Sequence, residues 1–440
     1  MITRRLVPLV TSMVLAAPLA ADSQQPGLPL VTPALGDIQA AALELREQPE
    51  IVEARDKAII LFKKTRSASL ADGLATLEAA VDELVFGVLL GVAANDPCQP
   101  RVVWSGNLPY TIGNKTVPGS RYADGPDRIY RSIPVNPAYR YTLTGTRNAL
   151  YPSLDFSFEA IPPPSLWGMP TDSLQAKDIE VASDGTFTIT ADAGSAQGRV
   201  NHLHLAPGTN AILIRDTLSD WSKQRPNGIS VSATVSDQSP GASSMDTIDN
   251  AVSQIIATAQ STAGFLEQMV WKNTPNQLTA FERKVDQGMP GAVFAASRFA
   301  LGDDEVLVIA LDPLAADYLA VQISDLWMRS ASYDRRHTSL NNQQAIANPD
   351  GSFTLIVSRQ DPGYINWLDT DNLHDGIVMV RWELISGAPD VNSAVREIQK
   401  LPLSELDNHL AGKQRKVSAQ ERQALLDQRY QSYLFRLSEQ

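Results

Sequence analysis

The chain has 440 residues, of which 43% are hydrophobic and 20% charged, and a formal net charge of −12. Its length leaves room for two or three separate cores. The acidic balance opposes nucleic-acid binding, which needs a basic footprint, and leaves no basic face for anionic lipid; its ordinary consequence is solubility. One cysteine, Cys98, excludes an intramolecular disulfide.

The N-terminus carries Arg4 and Arg5, then an apolar run from Leu6 to Leu19, then Ala20-Ala21-Asp22. A positive start, a short apolar stretch and small residues form the pattern of a secretory signal over 1–21. The run is too short, and too broken by Pro8 and Pro18, to span a membrane. The expected location is therefore periplasmic or secreted.

Residues 34–96 read as helical and as a hairpin. Apolar residues recur at helical spacing, among them Leu74, Leu77, Val81, Leu84, Val85 and Leu89, and Asp96-Pro97 is a stop. From 101 to 237 the texture turns to β-formers punctuated by Gly and Pro, the sign of a sandwich or barrel. Strands are expected at 128–135, 140–145, 154–160, 186–191, 211–218 and 229–235. Residues 245–285 form a helical linker. A second β series over 290–388 has strands at 292–299, 305–311, 318–325, 352–358 and 377–384. The stretch 390–440 reads as a helical tail, with a capping pattern at Ser418-Ala419-Gln420-Glu421.

The two β series look like copies. Asp184 and Asp350, Gly185 and Gly351, Phe187 and Phe353, and Arg215 and Arg381 each lie 166 positions apart, and Asn201 and Asn366 lie 165 apart. Upstream, Gly125 and Gly302, Asp127 and Asp304, and Tyr141 and Tyr318 lie 177 apart, which makes the first copy 11 residues longer between Tyr141 and Asp184.

Asp350-Gly351, Asp361-Pro362-Gly363, Asn366-Trp367-Leu368-Asp369-Thr370 and Arg381-Trp382, with Ser339-Leu340-Asn341, Gln344-Ala345 and Asp220-Trp221, resemble the bacterial family known as domain of unknown function 1214. The resemblance spans about 70–436. It implies jelly-roll-like sandwiches and carries no established reaction. The first copy departs from it, with Asn201-His202-Leu203-His204 where the second has Asn366-Trp367-Leu368-Asp369. The expected fold is mainly β with flanking helices: two jelly-roll-like antiparallel β-sandwich units, an N-terminal helical hairpin and a helical C-terminal tail.

The 366–374 loop is the densest polar cluster. Asp369 could orient His374 as an acid/base pair. Alternatively, Asn366 and Asp369 satisfy the turn while Trp367 fills the sandwich core. Tyr333 and Asn341 lie on a polar connection that could line a pocket mouth, and Arg381 follows on a strand. His202 and His204, two apart on a strand, face one way as metal ligands do, but a third ligand from His337, His374, Asp369 or Glu383 would have to come from the other copy, so no metal site is assigned. Walker, dinucleotide, zincin and nucleophile-elbow patterns are absent from the sequence. The expected function is binding of a small apolar or amphipathic molecule at Asn366, Trp367, Tyr333, Asn341 and Arg381. The alternatives are a hydrolase or isomerase using Asp369 and His374, and a structural or assembly module. No cofactor is named by the sequence.

Overall fold

Three helices lead into the β structure: α1 (Pro33–Arg46), α2 (Pro49–Phe62) and α3 (Ala71–Ala93). Proline opens α1 and α2, where its missing N–H has no helical partner to lose. Thr32 caps α1, its Oγ1 accepting from Leu35 N at 3.2 Å. The computed structural model describes residues 30–112, 115–162, 169–234, 244–283 and 291–437. The expected export signal, 1–21, lies outside them.

The first unit holds β1 (Val103–Ser105), β2 (Tyr110–Ile112), β3 (Lys115–Val117), β4 (Arg128–Pro134), β5 (Arg140–Thr146), β6 (Asp155–Ile161), β7 (Asp172–Gln175), β8 (Thr186–Asp192), β9 (His202–His204), β10 (Ala211–Thr217) and β11 (Gly228–Thr234). Helix α4 (Ser244–Met269) follows. The second unit holds β12 (Phe281–Glu282), β13 (Val293–Ala300), β14 (Glu305–Leu311), β15 (Ala316–Ser324), β16 (Ser339–Asn341), β17 (Phe353–Ser358), β18 (Trp367–Asp369), β19 (Asp375–Ile385) and β20 (Val395–Pro402), and the chain closes with α5 (Leu406–Leu410) and α6 (Ala419–Leu437).

Strand order shows the duplication. The five-stranded sheets run β1-β4-β10-β6-β7 and β12-β13-β19-β15-β16; the four-stranded sheets run β11-β5-β8-β9 and β20-β14-β17-β18. Each list maps onto its counterpart position by position. In each unit the two sheets form a sandwich, filled by Tyr141, Phe156, Phe158, Phe187, Ile212 and Ile214 in the first and by Leu307, Ile309, Val357, Val380 and Trp382 in the second. Alternation along β5 and β8 puts every second side chain inside. Gly145 is required there, because a Cβ would lie 1.9 Å from the Phe187 ring. The remaining pair in each unit, β8 with β9 and β17 with β18, is parallel.

Register corrects the second spacing. Arg215 pairs with Ser157 and Arg381 with Ala320; Ile214 pairs with Arg131 and Val380 with Ala295; Gly145 pairs with Phe187 and Leu311 with Phe353. Equivalent residues therefore stay 163 to 166 apart throughout. Tyr141 lies on β5 but Tyr318 on β15, which matches β6, so the 177-residue pairing and the 11-residue insertion drawn from it do not hold. The stretch around 395–402, expected as helix, is β20, hydrogen-bonded along β14.

Helices α1 to α4 and α6 share one core with the strand ends and loops that lie between the two units, including Trp221, Trp327, Tyr333 and Met379. Polar groups lock this seam. Asp127 accepts from Trp221 Nε1 at 2.7 Å, Tyr318 Oη at 2.9 Å and Asn341 Nδ2 at 2.9 Å. Arg128 pairs with Glu383, and Ala123 N donates to Met328 O at 2.8 Å. Asp124 accepts from Ser330 Oγ at 2.5 Å and from Ser330 N at 3.3 Å. Across these contacts α6 lays three buried arginines seven residues apart, Arg422, Arg429 and Arg436. Arg429 and Arg436 sit over the Trp221 ring at 4.4 and 4.0 Å. The capping pattern at its start forms, with Glu421 N donating to Ser418 Oγ at 3.2 Å and Ser418 N to Glu421 Oε2 at 2.9 Å.

Burial pushes the Asp124 carboxyl up to about 6, against the Ser330 hydrogen bonds and the Arg121 charge that pull it down. An unfolded aspartate titrates near 3.9, so between roughly pH 4 and pH 6 the folded chain holds a proton that the unfolded chain has released. Stability contributed by this group therefore falls as pH rises through that window and stays lower above it. Asp124→Asn is expected to remove the fall: in thermal melts the wild type loses ground to the variant between pH 4 and 6. A difference that stays constant from pH 4 to 7 would refute the assignment.

Candidate functional site

The 366–374 loop is a structural device. Asn366, fully buried, donates to Ile346 O at 2.7 Å and Thr354 O at 3.0 Å and accepts from Ile346 N at 2.8 Å. Asn201 does the same in the first unit, donating to Glu180 O at 2.9 Å and accepting from Glu180 N at 2.8 Å. An Asn amide offers both polarities and so pins a passing strand at both its N–H and its C=O. Trp367 is buried as expected, but outside the sandwich core. On the three-residue strand β18 only Leu368 points inward; Trp367 faces out, donates to Ser358 O at 3.1 Å and lies beneath the Arg422 guanidinium of α6 at 5.2 Å.

The expected Asp369–His374 pair is not made. Asp369 Oδ1 accepts from Arg336 Nη2 at 2.7 Å and from Asp371 N at 2.9 Å, and burial pushes its carboxyl up. His374 has a side chain 46% exposed, and its Nε2 meets Asp303 at 3.1 Å. Its backbone N donates to Asp72 of α3 at 2.6 Å. The turn after β18 carries the two side chains to different neighbours. His202 and His204 do share a face of β9, and both hold the turn that follows β8: His202 Nε2 lies 2.8 Å and His204 Nδ1 3.2 Å from Gly194 O. Among the described residues no group of three His, Cys, Asp or Glu side chains is gathered as a metal site.

Tyr333 and Asn341 do not line a pocket mouth. Both are buried in the seam, because α6 covers their connection. Tyr333 packs edge-on against Trp221 and Tyr433, and Asn341 holds Asp127 and Ser219 O. His337 is also covered; burial and the Arg429 and Arg422 charges hold its imidazole down to about 3, so it stays neutral. Arg381 is half-buried on β19 and hydrogen-bonds Gln322, while its counterpart Arg215 pairs with Glu159, the counterpart of Gln322.

A further candidate site lies in the first unit, at residues that sequence reading had not singled out. A groove of about 480 Å³ runs along the edge of the sandwich where β1 ends one sheet and β11 ends the other, with the start of α1 as its third wall. Its sides carry Leu30, Val102, Trp104, Ile229 and Val231. Arg131 and Asn227 also line it. Arg131 forms an ion pair with Asp216, which is fully buried, and donates to Asn227 O at 2.7 Å; Asn227 Nδ2 donates to Asp216 at 2.7 Å. Burial pushes the Asp216 carboxyl up, against these donors. Among the described residues, Arg131 Nε and Asn227 Oδ1 make no hydrogen bond although both are buried. By register, the second unit has Ala295 where the first has Arg131, and Trp382 where it has Asp216. There the space is closed by an indole that donates to Asp312 O at 2.7 Å. The sequence signal was present: Arg131 follows Ile129 and precedes Ile133 at the inward positions of β4.

A scan against protein-family models and a search of curated proteins each find no match. Among solved structures, an uncharacterised protein from Burkholderia cenocepacia is similar over 83% of this chain and 99% of its own, with a TM-score of 0.69 at 21% identity. A protein from Vibrio parahaemolyticus has a TM-score of 0.36 at 10% identity, over 64% of this chain and 90% of that one. The Burkholderia structure shares this chain's fold, a β-sandwich architecture with N-terminal helices and a C-terminal helix.

If Asn366 is a backbone clamp, Asn366→Ala leaves the Ile346 N–H and C=O, which it holds from its own buried position, and the buried Thr354 carbonyl without this partner. Urea unfolding is expected to show a loss of about 2–4 kcal/mol. A loss below about 0.5 kcal/mol, the range of an ordinary surface change, would count against the clamp.

Proposed function

We propose that the protein binds a small amphipathic molecule, and that it does so in the groove of the first sandwich rather than at the 366–374 loop. The observation that carries this reading is the divergence of the two units beneath the groove. A buried ion pair replaced by well-packed apolar residues is often neutral or even stabilising by about 1–4 kcal/mol. The second unit has the apolar solution, Ala295 with Trp382; the first has Arg131 with Asp216, and an opening above them. Stability gives no reason for that difference, whereas a ligand does. The volume and mixed lining also suit a small molecule, since ligand clefts commonly measure about 300–1,000 Å³. Chemistry by Asp369 and His374 has no comparable support, as each is engaged elsewhere.

The same proposal includes distant membership of the domain of unknown function 1214 family, on the motifs quoted above, and export directed by residues 1–21. Among the described residues no helix is long and apolar enough to cross a membrane. Export is checked by the mass of the protein recovered from its own host: about twenty N-terminal residues should be missing from it. An intact Met1 chain in the cytosolic fraction ends that part of the proposal.

The groove is tested by filling it. Ala34 lines the wall at the start of α1 and is half-buried, so Ala34→Trp should fold normally and occlude the opening. Calorimetric titration with decanol, a neutral amphiphile, is expected to give saturable binding to the wild type and none to the variant. Equal binding to both, at equal melting temperatures, would place the ligand elsewhere.

A further inference from the structure

The lining of the groove also bears on the charge of what it holds. Three arginines line it, Arg101, Arg131 and Arg225, and no aspartate or glutamate does, in a chain whose formal net charge is −12. We infer that the ligand is an amphipathic oxyanion, a carboxylate or phosphate head on an apolar body; this rests on the groove being a binding site at all. Arg101 carries the inference furthest. It is half-buried, and among the described residues it makes no ion pair or hydrogen bond. A cation held in a partly desolvated wall without a counter-charge is poised for one, and a guanidinium fork matches the geometry of a carboxylate or phosphate.

Two further features point the same way. Arg131 Nε, buried at the groove, is a donor without an acceptor among the described residues. Thr32 and Ala34, at the N-cap and in the first turn of α1, form part of the wall, so the positive end of a 14-residue helix adds to the arginine field. Asp216 offsets the charge of Arg131 and leaves Arg101 and Arg225 as the net positive charge of the wall. It lies beneath the groove, outside its lining, and its oxygens are taken up by Arg131 and Asn227. The apolar body would lie along Trp104, Val102 and the Ile229 and Val231 side chains.

The test uses four ten-carbon probes on the purified chain: decanoate, decyl phosphate, decanol and decyltrimethylammonium. Calorimetry is expected to rank at least one anion about tenfold or more above decanol, the size of a charge-assisted hydrogen bond, with the ammonium below detection. Whichever anion leads identifies the head as carboxylate or phosphate. Arg101→Gln should bring that anion down to the decanol level. Raised salt should weaken the anion and spare decanol. If decanol and the ammonium bind as tightly as both anions, or if Arg101→Gln leaves anion binding intact, the charge inference is overturned while the groove stands. If no probe binds, decanol included, the groove reading itself fails and takes this inference with it.

Discussion

Asp127 is a carboxylate without solvent, and neither unit can satisfy it alone. One of its three donors, Trp221, belongs to the first unit; the other two, Tyr318 and Asn341, belong to the second. Burial raises the carboxyl against those bonds. An acceptor left with even one of its donors missing would bear the desolvation penalty uncompensated, so the two units are held in one relative position. Much of the remaining seam follows from that position. Arg128 can reach Glu383, Ser330 can reach Asp124, and α6 finds a continuous track of aromatic rings on which to lie. Such a network sets orientation more than it adds stability, because buried charges repay little beyond their own desolvation.

The two copies have divided their tasks by covering different faces. In the first unit the four-stranded sheet shows solvent an alternating surface, as the outward threonines of β5 attest. In the second, the outer face of that sheet is roofed by α5 and the start of α6, and β17 is buried along its whole length. The first unit has kept an accessible edge with charges beneath it; the second has exchanged charge for an indole and serves as the bed for the C-terminal segment.

Much of this was legible in the sequence where alternation was long. Six- to nine-residue strands such as β5, β8, β14 and β15 carry enough inward apolar residues to declare a face. The three-residue strands β9 and β18 hold one inward residue each, Leu203 and Leu368, which is too few for any period to register. Val395–Pro402 misled because Arg396, Glu397 and Lys400, with Leu401 and Leu403 beside them, imitate a charged helix, whereas the strand is an edge strand with one face in water. The 177-residue spacing misled because a short Gly-x-Asp turn precedes both β4 and β14, which are not equivalent strands. At the candidate site, the polarity of Asn341, Asn366 and Asp369 was correctly noticed, but it is consumed internally. The more telling signal was a misplaced charge. Arg131 and Asp216 each interrupt an inward apolar series, yet they are 85 positions apart, and only the pairing of β4 with β10 reveals that they answer one another.

The three arginines of α6 also set an order of events. This helix follows both sandwiches in the chain, and until it emerges from the ribosome Trp221, Tyr333 and Trp367 have no cover and the seam has no clasp. Each sandwich has its own core and can condense as it is synthesised, but the two cannot lock together before α6 is free to dock. A chain built this way stays openable until that helix docks.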